Sequence, residues 1–158
     1  MNSKKAIKSQ YYATLAMLKD AIIKCPASCW DDQRYRNKFW HIAYHALFYT
    51  HLYLQTTEQD FVAWEKHEAN LERLGAVSRP PFSKKEILEY YELCCQEVAE
   101  RVDTLDLGAE SGFHWLSFDK LELQFYNIRH TQHHVGQLYD RLTAAGQKAK
   151  WVGTNANP

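Results

Sequence analysis

No run of this sequence is long and apolar enough to cross a bilayer, which takes about 20 consecutive apolar residues. Charge of one sign is not in excess: Lys and Arg number 19, Asp and Glu number 19, and the formal net charge is zero. A chain so balanced has no electrostatic pull toward nucleic acid or an acidic membrane surface, so neither is expected as a partner. Lys4, Lys5 and Lys8 read as one solvated helix face. Met1 to Gln10 is polar and lacks the apolar segment of a secretory signal, which makes the cytoplasm the expected compartment. Cysteine is present four times but in the wrong places for a zinc knuckle, with no C-x2-C pair. Cys25 and Cys29 flank a Pro-Ala-Ser turn, and the adjacent Cys94 and Cys95 point in different directions on a helix and read as packing residues. There is no internal repeat, no low-complexity segment and no strand-like alternation.

What the chain does have is apolar mass and helical spacing. Nearly half its residues are hydrophobic (46%), enough for residues 1–158 to close one core as one domain. Ile7, Tyr11, Leu15, Leu18 and Ile22 recur at helical spacing, and Pro26 closes that segment. Phe39 to Leu54 is almost continuously aromatic or aliphatic, interrupted chiefly by histidines and Thr50, which predicts a central buried helix. Asp60 to Leu74 is amphipathic and carries a tryptophan, which predicts a shorter helix, and Gly75 to Pro81 breaks it. Ser83 and Glu86 form the S-x-x-E capping box of a helix whose stripe is Ile87, Tyr91, Cys94, Val98, Val102 and Leu105. The last helix is predicted from about Asp119 to Ala145, with Gly146 as its stop and a polar tail from about residue 147. Four long helices in a chain of this size predict an all-α four-helix bundle, with extra short helical turns in the loops.

Eight histidines concentrate the chemistry. His130 and His134 stand one turn apart on one face of the last helix, so both imidazoles can reach one ion. Leu123, Asn127, His130, His134 and Leu138 step along that side, and Leu121, Phe125, Ile128, Val135 and Leu142 mark a neighbouring packing face. On the buried helix His41 and His45 are likewise one turn apart, and either facing the late pair completes a three-histidine set. His45 is favoured because it lies deeper in the apolar run. Three imidazoles leave coordination positions open, as catalytic metals do, and neutral imidazole suits zinc, nickel, copper and iron. There is no H-E-x-x-H and no Glu-x-x-His pair, which excludes a zincin protease and a di-iron carboxylate bundle. His133 points away from the pair, either exposed or supporting a ligand; Asn127 and Gln137 lie where they can orient an imidazole. His67 and His114 read as surface or loop residues. Gly136, inside a helix, reads as the close approach of another helix, with room beside a metal as the alternative. Tyr44, Tyr49, Tyr53, Tyr126 and Tyr139 read mostly as packing residues, one of which can serve as a proton donor near a metal.

The stretch Phe39-Trp40-His41-Ile42-Ala43-Tyr44-His45-Ala46-Leu47-Phe48-Tyr49, together with His130-x-x-x-His134-x-Gly136-Gln137, resembles the DinB-like superfamily of bacterial metal-binding four-helix bundles. The resemblance runs from Lys5 to roughly Gly146 and maps the family's metal triad onto His45, His130 and His134. It implies one divalent transition ion, zinc or nickel, in a bacterial cytosolic protein that is often a homodimer. A surplus of Trp and Tyr over the needs of one small core also favours the dimer. Family members include transferases of low-molecular-weight thiols and a maleylpyruvate isomerase. The expected function is therefore metal binding, with thiol transfer or hydrolysis of a small molecule through a metal-activated thiolate or water. The alternatives are a non-catalytic metal-binding protein and a dimerisation module.

Overall fold

The computed structural model describes residues 3–155. It is all-α: α1 (Ser3–Lys24), a single turn α2 (Ala27–Trp30), α3 (Phe39–Tyr53), a 3-10 turn at Glu58–Asp60, α4 (Lys84–Arg101) and α5 (Lys120–Ala144). The only strand-type pairing among the described residues is an isolated bridge between Glu110 and Asp119.

Local chemistry sets the helix ends. α1 stops two residues before Pro26, whose ring cannot continue a helix. The Ser83 capping box opens α4: the Ser83 side chain accepts from Glu86 N–H at 3.2 Å, and the Glu86 carboxylate accepts from Ser83 N–H at 2.9 Å. Asp119 caps α5 by accepting from Glu122 N–H at 2.8 Å. At the other end Gly146 takes φ 79°, and the bonds Gly146 N–H to Thr143 O (3.0 Å) and Gln147 N–H to Leu142 O (2.8 Å) complete a Schellman motif. α4 ends earlier than its apolar stripe: Val102 is the cap residue, and Leu105 is buried from the turn that follows. Two of the N-terminal lysines are not merely solvated. Lys4 and Lys8 donate to the Asp103 and Ala99 carbonyls at 2.8 and 2.7 Å, which closes off the free carbonyl end of α4.

α1 and α3 each pack against both α4 and α5, and the four enclose the core. Cross-contacts fix the directions. Tyr11 meets Gln124 and Asp20 meets Tyr139, so α1 and α5 run the same way. Lys8 meets Asp103 while Lys19 meets Glu92, so α4 opposes α1. Thr50 meets Thr131 while Lys120 reaches the Gln55 carbonyl, so α3 opposes α5. α3 and α4 therefore run in one direction, and residues 54–83 must carry the chain back along the length of α3.

That return explains why Asp60 to Leu74 is not the helix predicted from its amphipathicity. Beyond Asp60 it is an irregular strap of tight turns. Its carbonyls at Leu71 and Glu72 are taken by imidazoles of α3 rather than by its own amides. Trp64 and Leu71 are buried singly, while Val62 is 80% exposed, so no continuous apolar face forms.

The aromatics are mostly internal. Tyr11, Tyr44, Tyr90, Trp40 and Phe39 are fully enclosed, and Trp64 stacks on Tyr90 with ring centroids 4.6 Å apart. Most of the aromatic content is thus used by the core, while Tyr35, Trp115, Phe125 and Trp151 remain exposed. Cys94 and Cys95 are buried packing residues, and all four cysteines are free. On α5 the proposed second packing face is only half right: Val135 and Leu142 are buried, Leu121 and Ile128 are half-buried, and Phe125 is 60% exposed. Gly136 is on the exposed side, and a Cβ built there has nothing within 4 Å, so among the described residues no helix approaches it.

Candidate metal centre

Antiparallel packing of α3 on α5 brings His45 opposite the His130–His134 turn. The His130 Nε2 atom lies 3.1 Å from His45 Nε2 and 3.1 Å from His134 Nε2. Three imidazole nitrogens on one ion with bonds of about 2.0–2.1 Å sit roughly 3–3.4 Å apart. Among the described residues these three are the one group of His, Cys, Asp or Glu side chains whose ligand atoms converge in this way.

Hydrogen bonding decides which nitrogen each ring offers. His45 Nδ1–H donates to the Glu72 carbonyl at 2.6 Å, so its Nε2 carries a bare lone pair. His134 Nδ1–H donates to Gln137 Oε1 at 2.8 Å, with the same consequence. His130 Nδ1 is buried without a partner. A single proton on His130 Nε2 can serve only one of its two neighbours, which leaves the other lone pair unsatisfied in a poorly hydrated place. A cation at the centre serves all three at once, so the residues fit a metal.

The site also keeps its imidazoles neutral. Burial holds His45 down to about 4, against the opposing pull of the Glu72 carbonyl. Burial and the neighbouring His134 and His45 hold His130 down to about 3. Burial lowers His134 as well. Neutral rings are the ligating form.

Each expected supporting residue has a definite place. Gln137 holds His134. Asn127 does not touch the triad: its Nδ2 donates to the Tyr11 hydroxyl at 2.9 Å and to the Thr50 carbonyl at 3.2 Å, deep in the core. His133 is exposed, its ring 5.1 Å from that of His134. His41 is turned away from the triad; its Nε2–H donates to the Leu71 carbonyl at 2.8 Å. Of the two candidate histidines of α3, His41 and His45, it is His45 that faces His130 and His134. His114 is exposed beside Glu58, and His67 sits in the strap with its Nδ1 2.5 Å from the Tyr44 hydroxyl.

One partner escaped the sequence, and another was named only as one of five tyrosines. The Glu72 carbonyl is backbone and leaves no side-chain signal. Tyr49 is the tyrosine beside the triad, its ring centroid 4.8 Å from that of His45 and 5.2 Å from that of His130. His45 and His130 are half-buried rather than sealed, and on the Tyr49 side lies a groove of about 590 Å³ whose walls include Phe48, Tyr53, Phe61, Glu72 and Arg73. No protein-family model, no characterised protein and no solved structure matches the chain.

Proposed function

We propose that this chain is a DinB-like four-helix bundle that holds one divalent transition ion, zinc or nickel, on the Nε2 atoms of His45, His130 and His134. The observation that carries the reading is the convergence of three Nε2 atoms, with both distances from His130 at 3.1 Å, while two of the three Nδ1 atoms are engaged elsewhere. Three protein ligands leave room in the coordination shell, which suits a metal-dependent enzyme acting on a small molecule or a low-molecular-weight thiol. Such an ion lowers the pKa of a thiol or water beside it and so supplies a nucleophile at neutral pH. The chain's own part is to hold the three rings neutral, to fix two of them by their Nδ1–H bonds, and to wall the approach with Tyr49. Thiol transfer and hydrolysis both fit that arrangement. A homodimer is the assembly implied by the family resemblance, and light scattering over a concentration series checks it.

Elemental analysis of untagged protein is the first test, and close to one equivalent of zinc or nickel is expected. Each of His45→Ala, His130→Ala and His134→Ala should lose the ion, while His67→Ala and His114→Ala keep it. A protein that stays metal-free after incubation with zinc and then with nickel defeats the reading. A low-molecular-weight thiol titrated into cobalt-loaded protein tests the thiol branch. A sulfur-to-cobalt charge-transfer band is expected, and its absence leaves hydrolysis.

A further inference from the structure

Two histidines one turn apart on α3 take two successive carbonyls of the strap. His41 Nε2–H donates to the Leu71 carbonyl at 2.8 Å, and His45 Nδ1–H donates to the Glu72 carbonyl at 2.6 Å. The strap reaches this register through two turns, closed by Leu71 N–H to Glu68 O at 3.0 Å and Arg73 N–H to Asn70 O at 3.2 Å. Asn70 belongs to both turns. It has φ 68°, the only positive φ outside glycine among the described residues. That is the third position of the Glu68–Leu71 turn, where a positive φ is the conformation glycine and asparagine tolerate best.

We infer that His41 and Asn70 are positioning residues for His45: together they aim the Glu72 carbonyl that fixes which nitrogen of His45 is free. The inference rests on the proposed metal site, and the logic is geometric. An acceptor on Nδ1–H sets the rotation and tautomer of an imidazole, and supporting partners of this kind typically change metal affinity 10- to 100-fold. A backbone carbonyl does this only if its peptide is held. The preceding carbonyl is pinned by His41, which is fully buried, and the turn before it depends on the left-handed conformation of Asn70. His41 therefore acts on the site without touching the ion. Its place one turn before His45 matches the preceding carbonyl of the strap rather than a second ligand.

Asn70 makes the test clean because it is exposed and its substitution disturbs no core contact. Asn70→Ala should disfavour the turn and weaken zinc affinity about tenfold, measured by competition with a chromophoric chelator. Asn70→Gly, which restores the left-handed conformation, should bind as the unaltered chain does. His41→Ala should weaken affinity 10- to 100-fold, with partial recovery in His41→Gln, whose amide can still donate to Leu71 O. The second readout needs no metal: imidazole ¹⁵N shifts of the metal-free protein should show His45 protonated at Nδ1 in the unaltered chain and a mixture of tautomers in Asn70→Ala. Unaltered affinity and an unaltered tautomer in Asn70→Ala overturn the inference, as does an Asn70→Gly variant as weak as Asn70→Ala. If the unaltered chain takes up no zinc, the metal reading falls and the tautomer readout alone decides the positioning role. Should His41→Ala fail to fold, the Asn70 pair carries the test.

Discussion

Buried donors in this chain meet backbone carbonyls of segments far away in sequence, and Lys120 does so with a full charge. It is 2% exposed, and its ammonium donates to the carbonyls of Gln55 (3.1 Å), Thr56 (2.8 Å) and Ser111. Two of those carbonyls lie just past the C-terminal end of α3, where a positive charge is favourable. The loop reaches this point only because Gly112 has no side chain: a Cβ there would lie 2.1 Å from the Thr56 carbonyl. Lys120→Met keeps the length but strands three carbonyls, and should cost about 2–3 kcal/mol in urea unfolding. A loss within experimental error would show that water replaces the ammonium. The histidines give a second expectation at this scale. Their folded pKa values, about 4 for His45 and for His51, which is buried in the last turn of α3, and about 3 for His130, lie below the ordinary 6.5 because burial opposes charge. The unfolded chain therefore takes up protons first, and the metal-free protein loses stability as pH falls from about 6.5 toward 4, by up to about 1.4 kcal/mol per group per pH unit. Urea midpoints at pH 7 and pH 5 measure it. Equal midpoints would mean these rings are solvated.

Helix α5 shows how a local rule and the packed structure can disagree. Gly136 sits mid-helix on the exposed side with open space where a Cβ would be, so neither a neighbouring helix nor a strained backbone asks for glycine. Gly136→Ala should stabilise the protein by about 0.5–1 kcal/mol, raising its melting temperature by a few degrees. A destabilised variant would mean that something outside this chain needs that space. The termini of α4 and α5 were legible in the sequence because capping is local: Ser83 with Glu86, Asp119 and Gly146 each act within a few residues. The core stripes of α1 and α4 were legible because burial repeats with the helical period. The strap was not. Phe61, Trp64, Leu71 and Leu74 happen to suit a helix, but His41 and His45 compete for its carbonyls from another element, and a contact between backbone and a distant side chain has no sequence pattern. The outward turn of Phe125 escaped for a related reason, since period alone gives the direction of a face and not whether another helix covers it. The triad lay between these cases. One-turn spacing singled out His130 and His134, while the choice between His41 and His45 depended on where the strap runs.

For the molecule as a whole, a metal on the triad would add a coordinate link between elements that otherwise meet through packing and a few hydrogen bonds. His45 belongs to α3 and is tied to the strap through Glu72, and His130 and His134 belong to α5. Unfolding separates these parts and destroys the site, so an ion that binds only the folded chain adds RT ln(1 + [M]/Kd) to its stability, about 2.7 kcal/mol at a hundredfold excess over Kd. For a chain of this length that corresponds to a rise of roughly 5–10 °C in melting temperature. Zinc added to chelator-stripped protein should produce this rise, which grows with the logarithm of the free zinc concentration above Kd. His130→Ala should abolish it, because no other imidazole faces the pair it leaves. Asn70→Ala should shift the titration to higher zinc without changing its slope against the logarithm of zinc concentration, since the strap tunes how well His45 is aimed and supplies no ligand. Lowering the pH should move every curve toward the metal-free one, because protons compete for the same Nε2 atoms and the unfolded chain holds them more tightly. A melting temperature that does not respond to zinc at neutral pH, with the ion shown to be bound, would place the metal on a part of the chain that survives unfolding, and the three histidines would then not be its site.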